Sequence, residues 1–223
     1  LMEGFDICVR GEGELAIVEV VETLHINQNN LSSLVDIKGL SYKLANGEIF
    51  HNEERESIHD LDQVALPDWY QDDYKRILRE HTIPDWDSVK ENSLANSITL
   101  SMMIESSRGC PFQCTFCTTG QIKGKKWRAK TTRRIITEYY HFIGFYENIF
   151  ETHDQPLAIF VRFLEDNFCY DRHRVENLCK ELIKLPQKER PYWSIMARAT
   201  DINNVHLLKI LISAGCIRIY MGA

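Results

Sequence analysis

From residue 93 onward, apolar runs alternate with amphipathic helical patterns, and this alternation limits the possible folds more than any other feature. Short, continuous apolar runs are typical of parallel strands buried on both faces. Strands that alternate with helices form βαβ units, so the sequence predicts an α/β fold with a parallel sheet. The predicted strands are Ile98–Ile104, Leu157–Leu164, Tyr192–Ala197 and Ile217–Met221. The predicted helices are Thr131–Tyr146, Arg172–Leu185 and Asn203–Ala214.

The first 92 residues do not show this alternation of strands and helices. Residues 1–26 predict a short strand, a glycine turn and an amphipathic helix over Leu15–Leu24, the end of an αβ unit whose beginning is absent. Residues 27–92 are polar and irregular, and Asn46-Gly47 between alternating residues predicts a β-hairpin. The prolines of "LPDW" and "TIPDWD" are typical of a linker. We therefore expect a remnant of one domain over 1–26, a hairpin-bearing linker over 27–92 and an α/β core over 93–223.

Composition excludes several classes of protein. A formal net charge of −6 and a pI near 5.8 argue against a surface that coats nucleic acid. No apolar run approaches the ~20 residues that cross a bilayer, and the chain begins without the basic and apolar segments of a secretory signal. Seven cysteines without a regular framework fit a reducing compartment. We expect a cytoplasmic protein with no membrane association.

Three cysteines, Cys110, Cys114 and Cys117, directly follow the first strand of the predicted sheet. Chemistry in such sheets collects at the carboxyl ends of the strands. A structural zinc site needs four ligands, usually as two separated pairs, and no second pair is present here. A redox Cys-x-x-Cys motif would account for Cys114 and Cys117 but not for Cys110. Iron-sulfur clusters are commonly held by four thiolates, so three would leave one iron open. Packed or zinc-bound thiols remain the alternative.

The stretch "CPFQCTFC" resembles the signature of radical S-adenosylmethionine enzymes, C-x3-C-x2-C with an aromatic residue before the third cysteine. The resemblance implies that Cys110, Cys114 and Cys117 bind a [4Fe-4S] cluster and that Phe116 lies beside the adenine of S-adenosylmethionine. It also implies a (βα) TIM-like barrel, in which the cluster delivers one electron to cleave the cofactor. The resulting 5′-deoxyadenosyl radical abstracts hydrogen from carbon.

Two further strand ends carry candidate cofactor residues. "FLEDNF" ends the second strand, and similar proteins use acidic residues there to hold the methionine amino group, which implicates Glu165 and Asp166. Neighbouring residues of a strand point to opposite faces, so we expect at most one of them to face the site and favour Asp166. A helix cap or a solvated loop is the alternative. Arg198 in "ARATD" could pair with the methionine carboxylate, or form an ion pair with Glu165 or Asp201. The contacts that the family makes after the fourth strand are missing at Ala223, so the chain alone is expected to turn the cofactor over poorly.

The front of the chain resembles one subfamily. "VRGEGE", the hairpin "GLSYKLANGE" and "IHDLDQVALPDW" are similar to the stretch that joins a cobalamin-binding, Rossmann-like domain to the radical domain in B12-binding radical enzymes. This resemblance implies a fragment of a cobalamin-type enzyme, with methyl transfer to carbon as a possible reaction. The alternatives are a methylthiotransferase acting on tRNA, although only Cys8 precedes Cys110 here, and a non-catalytic iron-sulfur or zinc protein.

The partners follow from these motifs. The resemblance implies an external one-electron reductant, such as flavodoxin or ferredoxin, and a small-molecule or peptide substrate. A basic run over residues 123–134 could grip RNA, but such runs are usually a solvated face, so we do not expect RNA binding. The remaining cysteines, Cys8, Cys169, Cys179 and Cys216, are expected to be small buried hydrophobes.

Overall fold

Two units, each with its own buried cluster of side chains, make up the chain in the computed structural model. The structure describes residues 4–69, 98–150, 157–165 and 167–222. The first unit comprises residues 1–64 and 109–127, and the second comprises residues 65–108 and 128–223. The predicted linker segment "TIPDWD" lies outside the described residues.

The first unit contains a three-stranded antiparallel sheet in the order β1-β2-β3. Its elements are β1 (Ile7–Val9), helix α1 (Glu14–Ile26), β2 (Leu40–Lys43) and β3 (Ile49–His51). The predicted hairpin is confirmed: Gly47 has a φ of +88°, and the Asn46 side chain accepts a hydrogen bond from the backbone N–H of Glu48 at 3.0 Å. Turns of this kind need a residue that tolerates positive φ, which glycine does.

Helix α1 packs on this sheet. Its buried residues Ala16 and Val20 share a cluster with Leu34, Leu40 and Tyr42. The segment predicted to end one domain and the segment predicted as linker therefore bury side chains together. The predicted domain boundaries and the Rossmann-like origin of residues 1–26 stay predictions.

The second unit is built on the predicted parallel sheet, with strand order β4-β7-β8-β9. The strands are β4 (Ile98–Ile104), β7 (Leu157–Phe163), β8 (Tyr192–Met196) and β9 (Cys216–Tyr220), all paired in parallel. A two-residue antiparallel ribbon, β5 (Ser107–Arg108) with β6 (Arg128–Ala129), follows β4. The parallel α/β fold is thus confirmed, and closure into a barrel stays a prediction.

Helices α3 (Thr132–Phe150), α4 (Arg172–Lys184) and α5 (Val205–Ser213) connect these strands, and the short helix α2 (Thr119–Ile122) lies in the first unit. Side-chain caps start two of them: Asp171 accepts from the backbone N–H of Arg174 at 3.0 Å, and Asn204 accepts from that of Leu207 at 2.9 Å. None of the helices in the described ranges has the length and apolarity to cross a membrane.

Trp193 on β8 is the largest fully buried side chain among the residues that the structure describes. Its ring lies 5.6 Å from those of Phe163 and Phe168, and its indole N–H donates to the carbonyl of Ala214 at 2.9 Å. Gly215, the residue after Ala214, lies close to the backbone of Pro191. A Cβ at Gly215 would lie 2.4 Å from the Pro191 carbonyl oxygen, so a larger residue does not fit there. These three aromatic rings belong to the buried core of the second unit.

Candidate functional site

The thiol loop, residues 109–117, belongs to the first unit and carries the three predicted cluster ligands. None of the three thiols forms a disulfide: Cys110 is half-buried, Cys114 and Cys117 are exposed, and Sγ of Cys117 donates to Oγ1 of Thr119 at 3.3 Å. The backbone N–H of Cys117 donates to the carbonyl of Cys114 at 3.1 Å, which places these two residues in one turn. The Cys110 N–H donates to the carbonyl of Gly124 at 3.1 Å and ties the start of the loop to the segment after α2.

Gly109 permits the hydrogen bond between Cys110 and Gly124. Its φ is +83°, and a Cβ at this position would lie 2.4 Å from the carbonyl oxygen of Lys126 and 3.0 Å from that of Gly124. Real Cβ atoms do not approach backbone atoms so closely, and L residues adopt this φ at a cost. A glycine is therefore required directly before Cys110.

We expect Gly109→Ala to destabilise the thiol loop by roughly 1 to 3 kcal/mol, because alanine would meet both the strained φ and the Lys126 carbonyl. Exchange of the Cys110 amide hydrogen, which is bonded to Gly124, should then be about ten- to a hundredfold faster. Gly144→Ala is the matched control, since no atom lies within 4 Å of a Cβ there. Equal Cys110 exchange in both variants would contradict the requirement for glycine.

The thiols suit an iron-sulfur cluster by their chemistry, since cluster ligands are cysteine thiolates. The three thiols lie within one short loop, and no disulfide joins them. Across residues 4–69, 98–150, 157–165 and 167–222, however, no three Cys, His, Asp or Glu side chains are grouped as a metal site. Ligation by Cys110, Cys114 and Cys117 therefore stays a prediction. Phe116, the predicted adenine neighbour, is 88% exposed, so its ring is accessible to a planar ligand.

In the second unit, Ser106 connects the ends of β4 and β7. The backbone N–H of Ser106 donates to Oε1 of Glu165, and its carbonyl accepts from the Lys130 N–H at 2.9 Å and from Nη2 of Arg174 at 3.0 Å. Glu165 is 3% exposed and Arg174 is 9% exposed. Burial raises the pKa of Glu165, while Arg174 and the hydrogen bonds from Ser106 oppose the shift. Three separate segments thus hold one buried serine.

The predicted cofactor residue Glu165 is therefore already engaged through one oxygen. Its other oxygen, Oε2, is buried and has no hydrogen-bond partner among the described residues. The neighbouring Asn167 is similar: its Nδ2 donates to Asp201 at 2.7 Å, while its buried Oδ1 has no described partner. Two acceptor oxygens are thus left at the carboxyl end of β7. The other predicted acid, Asp166, lies outside the described residues.

Arg198 follows β8 and is half-buried. Its carbonyl accepts from the Asp201 N–H at 3.0 Å, which forms a turn at the end of the strand. Next to this turn is an open cleft of about 460 Å³. The cleft is lined by Ala199, Thr200, Ile202, Asn203 and Met221. Small-molecule sites in α/β sheets commonly lie at this edge.

Sequence reasoning missed the roles of Ser106 and Arg174. Arg174 lies in the helix after "FLEDNF", one turn from the Asp171 cap, and its position in an amphipathic pattern gave no reason to expect burial. A buried arginine needs acceptors, and these come from residues 68 positions away along the chain. The one signal for the role of Arg174 was Glu165, because a buried carboxylate needs a cation near it.

The isolated cysteines divide into two groups. Cys169, Cys179 and Cys216 are buried, as predicted, and burial raises the pKa of each to about 12. They remain protonated at neutral pH, whereas metal ligation needs the thiolate. The prediction was wrong for Cys8, which is exposed because it lies on the short strand β1.

No family model matches the chain. An uncharacterized methyltransferase, PH0819 of Pyrococcus horikoshii, is 27% identical over 97% of the chain and 40% of its own length. The anaerobic magnesium-protoporphyrin IX monomethyl ester cyclase of Cereibacter sphaeroides is 26% identical over 97% of the chain and 31% of its own length. The chain therefore spans less than half of each of these curated relatives.

Two solved structures share the fold. OxsB, described as a cobalamin-dependent S-adenosylmethionine radical enzyme, matches with a TM-score of 0.63 and 19% identity over 97% of the chain and 28% of its own. TsrM of Kitasatospora setae, described as a radical S-adenosylmethionine methyltransferase, matches with a TM-score of 0.60 and 16% identity over 99% of the chain and 38% of its own. The chain therefore resembles both enzymes in its fold. This confirms the resemblance inferred from "CPFQCTFC" and from the front of the chain.

Proposed function

We propose that the chain is part of a radical S-adenosylmethionine enzyme in which Cys110, Cys114 and Cys117 hold a [4Fe-4S] cluster. The observation that carries this proposal is the thiol loop itself: three cysteines without a disulfide in one loop that follows the first strand of a parallel α/β sheet. The similarity to a methyltransferase and a cyclase over 97% of the chain supports an enzymatic role. In the whole protein, the sheet would be part of a TIM-like barrel.

The cluster, when bound, would supply the single electron that cleaves S-adenosylmethionine. The chain would supply the binding groups. Phe116 offers an exposed ring to the adenine, and Arg198 offers a guanidinium to the methionine carboxylate. Glu165, together with Asp166, would take the amino group. Because Ser106 occupies only Oε1 of Glu165, its Oε2 remains as an acceptor for an ammonium group.

An ammonium at this position also fits the electrostatics of Glu165. Burial disfavours its carboxylate and raises its pKa, so an added cation would stabilise the charged form. The buried carboxylate would then bind a positively charged group more strongly than an exposed one, because little water competes for it. Glu165 would both anchor the backbone of Ser106 and orient the cofactor.

The reaction class we propose is hydrogen abstraction from a carbon centre, with cobalamin-dependent methyl transfer to carbon in the whole protein. Support for methyl transfer comes from the methyltransferase of Pyrococcus horikoshii and from the shared fold of OxsB and TsrM. One TsrM structure is described with cobalamin and a [4Fe-4S] cluster bound. The corrin would be held by a Rossmann-like domain to which residues 1–26 contribute the last element, and the enzyme would act in the cytoplasm.

Anaerobic reconstitution of the chain tests this proposal. We expect about four iron and four sulfide per chain, and a change in the electron paramagnetic resonance spectrum of the dithionite-reduced sample when S-adenosylmethionine is added. Formation of 5′-deoxyadenosine under dithionite would establish the reaction class. About one zinc and no sulfide would contradict the proposal and favour a structural metal site.

A further inference from the structure

The segment after the cysteines forms a cationic turn that is fixed to the thiol loop. Residues 122–126, the lysine turn, begin at the last residue of α2 and contain Gly124 with a φ of +83°. The Gly124 carbonyl accepts from the Cys110 N–H at 3.1 Å, and the Lys123 N–H donates to the carbonyl of Thr119 at 2.8 Å. The closeness of the Lys126 carbonyl to Gly109 adds a third attachment. Thiols and lysines therefore belong to one local structure.

The charge of this region is opposite to that of the chain. Residues 109–127 contain three lysines and no aspartate or glutamate, although the whole chain has a formal net charge of −6. Lys125 and Lys126 are exposed, and Lys123 is half-buried. Ile122, at the start of the turn, is 72% exposed. The thiol loop is thus followed in the chain by exposed lysines and an exposed apolar side chain.

Most of the basic run that follows, in the second unit, is not exposed. Lys130 is buried and its Nζ contacts Oε1 of Glu138 at 2.6 Å, and Nε of Arg134 contacts the same oxygen at 3.2 Å. Arg128 is also buried. An RNA backbone needs a row of exposed cations. Of Arg128, Lys130, Arg133 and Arg134, only Arg133 is exposed. The compact lysine turn favours a small acidic patch on a protein.

We propose that the lysine turn is the docking surface for an acidic one-electron carrier protein that reduces the cysteine-held cluster, an inference that rests on the proposed function. The carrier loses one electron and the cluster gains it, and no bond forms or breaks. Opposite charge at the contact raises the association rate and orients the partner. Interfaces of redox partners are small, so a few lysines and one exposed isoleucine can define the contact.

Binding of a flavodoxin of strongly negative net charge to the anaerobically reconstituted chain tests the proposal. We expect Lys125→Glu/Lys126→Glu to weaken the affinity about tenfold at low ionic strength, and the charge-conserving Lys125→Arg/Lys126→Arg to retain it. Rising salt should weaken binding of the unchanged chain and have little effect on the Glu variant. The matched control is Lys188→Glu/Lys209→Glu, which changes net charge equally at two exposed lysines of the second unit.

Equal flavodoxin affinity of the Lys125→Glu/Lys126→Glu variant and the control would overturn the proposal, as would affinity that does not depend on salt. An oligoribonucleotide that loses binding in the Glu variant, while flavodoxin binding is unchanged, would overturn it in favour of RNA. Iron and sulfide are measured on the same samples. Loss of the cluster would count against the proposed function, whereas unchanged flavodoxin affinity with the cluster present would count against the docking surface alone.

Discussion

Replacing any one of Cys110, Cys114 or Cys117 with alanine is expected to abolish retention of a [4Fe-4S] cluster after anaerobic reconstitution. The three thiols lie in one loop, and two thiolates do not hold a four-iron cluster well. Iron and acid-labile sulfide should fall from about four of each per chain to less than one. The brown colour and the broad visible absorption should disappear together with them.

Two matched variants test whether this effect is specific. Cys8→Ala removes an exposed thiol outside the loop, and Cys179→Ala removes a buried thiol whose pKa is raised to about 12 by burial. Both should keep full iron and sulfide, because neither thiol is a ligand. Full loading in all three loop variants would mean that the cluster assignment is wrong.

Arg174→Met is expected to lower the free energy of unfolding of the second unit by about 3 to 5 kcal/mol. The change would leave the Glu165 carboxylate buried beside an uncharged side chain and would remove the hydrogen bond from Nη2 to the Ser106 carbonyl. The guanidinium also lies 5.5 Å from the centre of the Phe168 ring, so packing would be lost as well. Urea unfolding followed by hydrogen exchange of the sheet amides would measure the effect.

The double variant Glu165→Gln/Arg174→Met should regain part of this loss, since it removes the unpaired charge. Lys184→Met is the control: its ion pair with Glu181 spans 2.6 Å but is exposed, so its removal should cost less than about 1 kcal/mol. If Arg174→Met costs no more than Lys184→Met, the buried network does not stabilise the sheet.

The strands of the second unit could be predicted because burial on both faces produces continuous apolar runs. Ile98–Ile104 matches the prediction at both ends, and β7, β8 and β9 differ from theirs by one residue. The hairpin could likewise be predicted from Asn46-Gly47, because the backbone conformation of a turn depends on the residues in the turn. Local physical preferences were therefore sufficient for the elements and for the position of the thiol loop in the chain.

Long-range contacts could not be predicted in this way. Ser106 and Glu165 are 59 residues apart, and the sequence around either gives no sign of the other. The basic run also could not be divided into buried and exposed residues from the sequence. Lys130 is buried and pairs with Glu138, whereas Lys125, five residues earlier, is exposed. Which cation is internal depends on acids that only the fold brings near, so the predicted solvated face was correct for Lys125 and wrong for Lys130.

The ribbon of β5 and β6 allows the thiol-bearing segment to be replaced as one piece by the corresponding segment of a related chain. Ser107 pairs with Ala129 and Arg108 with Arg128, so residues 109–127 leave and re-enter the second unit at adjacent points. An insert whose ends already meet adds little loop-closure entropy, and its length and sequence can change without moving the parallel strands. A chimaera joined at the ribbon would therefore exchange residues 109–127 as a whole, thiols and lysines together, and would keep the parallel sheet of the other parent.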